Sequence, residues 1–339
     1  MNCSLTGKSL RCLAIPPLAR YRALVRAKLL LYLLGLRERL RETRAFFRFP
    51  LCVRLAVPAG GPVSGRNTRV LLYGIPYADW NAPLAARALW QGVPGVASVL
   101  RLPALPILAA AIARFVGNPR IVIPSKAPHA ARLPRGWRSL SPCPAAVRTL
   151  NDKRRFAVHM AENGLGDYCP ATYAGPADAA YPCVLKRANK SASGGVVVVT
   201  SRAELETQLQ RPLFHKHAFT LQALIAGTTE HATYCVCKDG SVLWHCTFLT
   251  EVAHANTIKS EDSVMRRWKI ATPGPIVRQI EKVLAPLGYS EPCNLDYKLG
   301  PDGRICVFEI NPRLGGTLMM PRYGEDLRQA FACIVDNAV

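Results

Sequence analysis

Between residues 19 and 49 leucines recur at helical spacing in ARYRALVRAKLLLYLLGLRERLRETRAFFRF, and arginines fill the gaps. That pattern predicts one or two amphipathic helices. Pro, Gly and Ser crowd 55–68, a linker composition. Beyond it the apolar residues gather into short runs. Strands are expected at 69–75, 97–102 and 120–123, with helices at 82–91 and 108–116 between them. Such alternation predicts a small parallel α/β unit. Residues 124–144, rich in Pro and basic residues, read as loop.

The second half changes character. A helix is expected over 150–163, opened by Asn151 as N-cap and closed by Gly164. Strands follow at 181–187 and 196–200, joined by the Ser/Gly loop 188–195. Ser201 caps a helix to 209, with Glu204 completing a capping box. A strand at 219–225 precedes a hairpin, 232–238 and 241–248, about Asp239-Gly240, a strong turn signal. The stretch 250–268 reads as a basic loop, 275–287 as a helix closed by Gly288. Strands 293–299 and 304–310 are joined by Gly-Pro-Asp-Gly.

Composition narrows the class. Half of the 339 residues are apolar, so burial is not limiting, and the length suits two or three packed subdomains. No CxxC pair occurs among the 12 cysteines, many of which sit in apolar runs such as YCVC; they read as reduced core thiols. The longest apolar block, 29–36, is far short of a bilayer span, and the stretch 10–17, broken by Arg11 and Pro16-Pro17, does not read as a secretory signal. The expectation is a cytoplasmic protein, peripheral to a membrane at most. The formal net charge is +22, and residues 1–78 hold fourteen Lys and Arg against two glutamates. A field of that sign favours anionic partners. Residues 1–60 therefore read either as a helical stripe packed on the rest of the protein or as a basic surface for an anionic partner or membrane. No nucleic-acid motif accompanies them.

Three patterns carry chemistry. In NLDYK and FEINPR, two neighbouring antiparallel strands bring Asp296, Glu309 and Asn311 together, because side chains alternate with period two. Two carboxylates and an amide oxygen are hard ligands suited to Mg²⁺ alongside phosphate oxygens. In YPCVLKRANKSASGG, Lys186 ends a strand just before a loop whose Ser191, Ser193, Gly194 and Gly195 admit an anion close to the backbone. In LQALIAGTTE, the apolar hinge Gln222, Ala223, Leu224, Ile225 has backbone groups that can read an adenine edge, and Glu230 follows as a carboxylate that can bind ribose hydroxyls; alone, the stretch reads only as an edge strand.

Taken together and in this order, NDK at 151–153, YPCVLK with its loop, LQALIAG with Glu230, and NLDY…VFEINPRLGG resemble the ATP-grasp superfamily, over about half the chain. The resemblance implies an α/β (α+β) ATP-grasp fold preceded by a small Rossmann-like parallel α/β subdomain, and the residues themselves add a basic helical N-terminal segment before it. The implied boundaries are 1–66, 67–148 and 149–339, the last divided into a lid-like part, 149–228, and a metal- and substrate-binding part, 229–339. It also implies ATP with Mg²⁺ (or Mn²⁺ in its place). Lys153 and Lys186 would hold the α and β phosphates under the loop 191–195. Residues 222–225 would line the adenine, and Glu230 would bind ribose. Asp296, Glu309 and Asn311 would carry the metal, and Arg313 would contact the γ-phosphate or acyl phosphate.

The implied reaction is ATP-dependent joining of a small-molecule carboxylate to an amine through an acyl phosphate. The amine's base is not marked by the sequence; His254 is a candidate or a polar loop residue. Lys259, Arg266 and Arg267 read equally as a carboxylate site or a solvated loop. Two other classes stay open: a bicarbonate-activating carboxylase or carbamoyl-phosphate-type enzyme, and a basic nucleic-acid- or membrane-binding protein that keeps the fold.

Overall fold

The computed structural model describes residues 52–54, 68–74, 76–105, 109–111, 120–133, 136–188 and 195–339. The expected basic helices, most of the linker, most of the helix at 108–116, and Ser191, Ser193 and Gly194 lie outside them. Among the described residues no helix is long and apolar enough to cross a membrane.

The first sheet contains β1 (Cys52–Arg54), β2 (Thr68–Tyr73), β3 (Val96–Leu102) and β4 (Arg120–Pro124) in the order β1-β3-β2-β4. β2 runs parallel to both β3 and β4, and β1 is antiparallel to β3. The single helix expected between β2 and β3 is two: α1 (Asn81–Ala85) and α2 (Arg87–Gln91), broken where Ala86 turns extended at ψ 117°. The expected loop at 124–144 contains a short helix, α3 (Ala127–Ala130).

The helix expected over 150–163 starts later, at Lys153. Two helices meet there, α4 (Pro144–Asn151) and α5 (Lys153–Glu162). The cap is Asp152 and not Asn151: Asp152 is extended (φ −118°, ψ 113°), and its Oδ1 accepts from the N–H groups of Arg154 and Arg155. A carboxylate at that position satisfies two orphan donors and suits the helix dipole.

Antiparallel pairing builds the rest. β5 (Thr172–Tyr173), β6 (Cys183–Arg187), β7 (Val196–Val199) and β8 (Phe219–Ala223) form an antiparallel sheet in the order β5-β8-β6-β7. Helix α6 (Arg202–Gln210) covers it, with a core of Cys183, Leu185, Val199, Leu205, Phe214 and Leu221. Ser201 caps α6 as expected, but Glu204 closes the box on Thr200, accepting from its N–H at 2.8 Å and its hydroxyl at 2.7 Å.

The largest sheet is antiparallel throughout: β9 (Thr229–Lys238), β10 (Ser241–Val252), β11 (Val264–Ile270), β12 (Glu291–Leu299) and β13 (Ile305–Asn311), in the order β11-β10-β9-β12-β13. The β9–β10 turn is the expected Asp239-Gly240, with φ of 51° and 85°. β11 was expected to be loop; β10 runs on to Val252 and pairs with it. One face of this sheet packs on α4, α5 and α7 (Gly274–Leu284), and the other, at one end, on α8 (Gly324–Asn337) and the first sheet. Cys235, Cys237, Cys246 and Cys293 are buried in it as free thiols, with Cys237 and Cys293 sulfurs 4.0 Å apart.

Candidate functional site

A cavity of about 580 Å³ opens where β6 and β7, the turn after β8, the uncovered end of the large sheet and the 76–80 segment meet. Period-two alternation decides who faces it. On β12, Cys293, Leu295 and Tyr297 go into the core while Asn294, Asp296 and Lys298 face the cavity. On β6, Cys183 and Leu185 pack under α6, and Val184 and Lys186 face the cavity. β9 contributes Glu230, Ala232 and Tyr234, and β13 contributes Glu309 and Asn311.

Asp296 and Glu309 lie directly opposite one another in the β12–β13 register, and Asn294 lies opposite Asn311. The amide nitrogens of Asn294 and Asn311 approach Asp296 Oδ2 at 3.3 and 3.4 Å. Each carboxylate is balanced by a lysine from a distant part of the chain. Lys153 Nζ donates to Glu309 Oε1 at 3.0 Å. Lys259 donates to Asp296 Oδ1 at 2.9 Å and also pairs with Glu230. Burial pulls the Lys259 ammonium down, but Asp296 and Glu230 outweigh it and hold it above the usual lysine range. Glu230 is raised by burial, against the pull of Lys259.

Lys186 is buried, its Nζ donating to Phe308 O at 3.4 Å. Burial lowers its pKa to about 8; Glu309 opposes the shift and Lys153 adds to it. Arg313 is held beside Asn311 and Leu314, its guanidinium facing the Tyr77 and Trp80 rings at 5.3 and 5.7 Å.

Lys153, Lys186, Ala223, Leu224, Ile225, Glu230, Asp296, Glu309, Asn311 and Arg313 thus meet at one cavity. Gln222 does not line it: its side chain turns to Thr172 and donates to Oγ1 at 3.3 Å, because neighbours along β8 face opposite ways. Gly195 is buried just before β7 and is also not part of the lining. His254 is exposed and does not line the cavity. Arg266 lies over the Trp268 ring, whereas Arg267 reaches the cavity and Thr250. Lys298, Tyr234, Thr317 and Asp79 join the lining without having been singled out. For Lys298 the signal was available: it stands two residues beyond Asp296 on the same strand face.

The oxygen donors fit a hard divalent cation. Asp296, Glu309 and Asn311 share one wall, and the buried Asn294 Oδ1 lacks a hydrogen-bond partner. Among the described residues no group of three or more His, Cys, Asp or Glu forms a self-sufficient metal cage. Mg²⁺ binds through one or two carboxylates and completes its shell with water and phosphate, and Asp296 and Glu309 are such a pair.

A scan against protein-family models and a search of curated proteins each found no match. Solved structures do match. The L-amino acid ligase of Bacillus licheniformis is 17% identical at a TM-score of 0.53, covering 81% of this chain and 75% of that one. The D-alanine–D-alanine ligase of Bacillus anthracis, solved with ATP, is 14% identical at 0.51, covering 80% and 95%. The biotin carboxylase domain of Hydrogenobacter thermophilus 2-oxoglutarate carboxylase, solved with MgADP and bicarbonate, is 14% identical at 0.51, covering 79% and 69%. The chain has the ATP-grasp fold. In this fold the cavity lies between the sheet β5–β8 and the large sheet, with the first sheet supplying Asp79 at its rim.

Proposed function

We propose that the chain is an ATP-dependent ligase that activates a small-molecule carboxylate as an acyl phosphate and couples it to an amine. The observation that carries this reading is the convergence on one cavity of Lys153, Lys186 and Arg313 with the facing pair Asp296 and Glu309. Cations placed around a triphosphate, and carboxylates placed for its metal, are what phosphoryl transfer requires of a protein.

In this reading ATP is a substrate. Its base lies against the apolar wall of Val184, Val196 and the 223–225 turn, and Glu230 takes the ribose hydroxyls. Lys153 and Lys186 hold phosphate oxygens. Asp296, Glu309 and Asn311 would hold Mg²⁺, which would supply charge neutralisation at the phosphates. A carboxylate oxygen of the acid substrate attacks the γ-phosphorus, and the bond to ADP breaks. The amine nitrogen then attacks the acyl carbon, phosphate leaves, and the ammonium proton passes to solvent. Arg313, braced by two aromatic rings, stabilises charge on the phosphoryl group. The first sheet, taken as a Rossmann-like unit over 67–148, closes the substrate end.

The test measures ADP and phosphate release with Mg·ATP and pooled acids and amines. Wild type should release ADP over many turnovers only when both substrates are present. Glu309→Gln should lower the rate by about 10²-fold or more, the size of effect typical for losing one charge-stabilising group. Absence of substrate-dependent ADP from wild type would overturn the reading.

A further inference from the structure

Lys298 faces the cavity two residues beyond Asp296, yet the nucleotide reading gives it no task. It is buried at 7% exposure, and its Nζ donates to Ile225 O at 2.8 Å and to Gly227 O at 2.7 Å. These carbonyls belong to the apolar turn after β8, whose residues 223–225 line the cavity. Gly227 takes φ +130°, a conformation that L side chains rarely adopt, and a Cβ there would lie 3.9 Å from Lys298 Cδ. The Gly227 N–H donates to Ala255 O at 3.1 Å. The turn is therefore held from β12 on one side and from the segment carrying Lys259 on the other. Burial lowers the Lys298 pKa and Glu230 opposes the shift, which puts the ribose-side carboxylate within electrostatic reach.

We propose that Lys298 is a positioning residue for the nucleotide: it fixes the 224–227 turn in the shape that receives the base, and so sets nucleotide affinity. The inference rests on the nucleotide reading of this cavity. A buried ammonium is costly unless its bonds are made, and here both carbonyl bonds are short and charge-assisted. A turn without secondary-structure pairing over 224–227 loses this clamp if the ammonium is removed. Nucleotide binding must then order the segment, and that ordering subtracts from affinity. Lys298 touches no reacting atom in this reading, so its effect falls on binding more than on turnover.

The experiment compares wild type, Lys298→Met and Lys298→Arg by calorimetric titration with Mg·ADP in the absence of acid and amine. Hydrogen exchange at 224–227 and steady-state kinetics accompany it. Lys298→Met should raise the Kd and the ATP KM together by about ten-fold or more, as expected for losing charge-assisted bonds. Exchange at 224–227 should quicken, and kcat should change less than the KM. Lys298→Arg should recover part of the affinity. A lowered melting temperature with unchanged Kd and exchange would overturn the proposal, since a merely structural lysine gives that result. If Lys298→Met does not fold, Gly227→Ala decides: it disturbs the same turn, and an unchanged Kd overturns the proposal. Failure of wild type to bind Mg·ADP at all would instead sink the nucleotide reading on which this one stands.

Discussion

A lysine enclosed by protein is driven toward its neutral form, and Lys186 lies near pKa 8 for that reason. Two opposite pH effects follow. Its ordinary value is 10.5, so burying the charge costs stability below about 8, and the cost fades as pH rises from about 8 to 10.5. Nucleotide affinity runs the other way, because the neutral amine no longer attracts phosphate. We expect the Kd for Mg·ADP to weaken above about pH 8, approaching ten-fold per pH unit, when one protonated group is required. Lys186→Arg should flatten that rise, as guanidinium stays charged. Titrations at pH 7, 8 and 9 on both proteins check it. The position of Lys186 at a strand end before a Ser/Gly loop was legible along the chain. Its environment was not: Glu309 and Lys153, which shift its charge in opposite directions, arrive from elsewhere in the sequence.

At the scale of elements, most of the regular structure was written in local pattern. The Asp239-Gly240 hairpin, the alternation of β12 and the cap at Ser201 all formed where the sequence put them. The errors share a cause. Asn151 and Asp152 are both good caps, and the choice fell to Asp152 because α4 already occupies 144–151. β11 reads VMRRWKI, an edge strand with Met265, Arg266 and Lys269 exposed, and it lacks the apolar alternation of a covered strand. Only its pairing with β10 makes it a strand. The cap bears on the site, since Lys153 is the next residue. Asp152→Ala should cost about 1 kcal/mol of stability, within the usual 0.5–2 range for a lost cap. It should also weaken Mg·ADP binding by loosening Lys153; chemical denaturation and titration read the two effects separately.

At the scale of the molecule, the cavity is a meeting of sheets that do not pair with one another. A ligand seated there touches both the β5–β8 sheet and the large sheet, and so it should resist their separation. Saturating Mg·ADP at about 100 times Kd is expected to stabilise the chain by roughly 2.7 kcal/mol. The thermal shift should largely disappear in a Lys153→Ala, Glu309→Gln double variant, which removes the ion pair without leaving either charge alone. Equal shifts in the variant and wild type would show that nucleotide binds somewhere else.

What the sequence alone determined is the part set by short-range chemistry: strand alternation, turn residues, and the order of NDK, YPCVLK, LQALIAG and VFEINPR. These place Asp296, Glu309 and Asn311 on one face, because a β-strand's period is two wherever it lies. Tertiary structure decided which charges meet. Lys153 reaches Glu309 across 156 residues, and Lys259, read equally as a loop lysine, joins Glu230 and Asp296. It also turned Gln222 away from the cavity and Lys298 into it. Ion pairing falls steeply with distance and depends on what excludes water around it. Neither quantity is carried by a linear pattern until the sheets have packed.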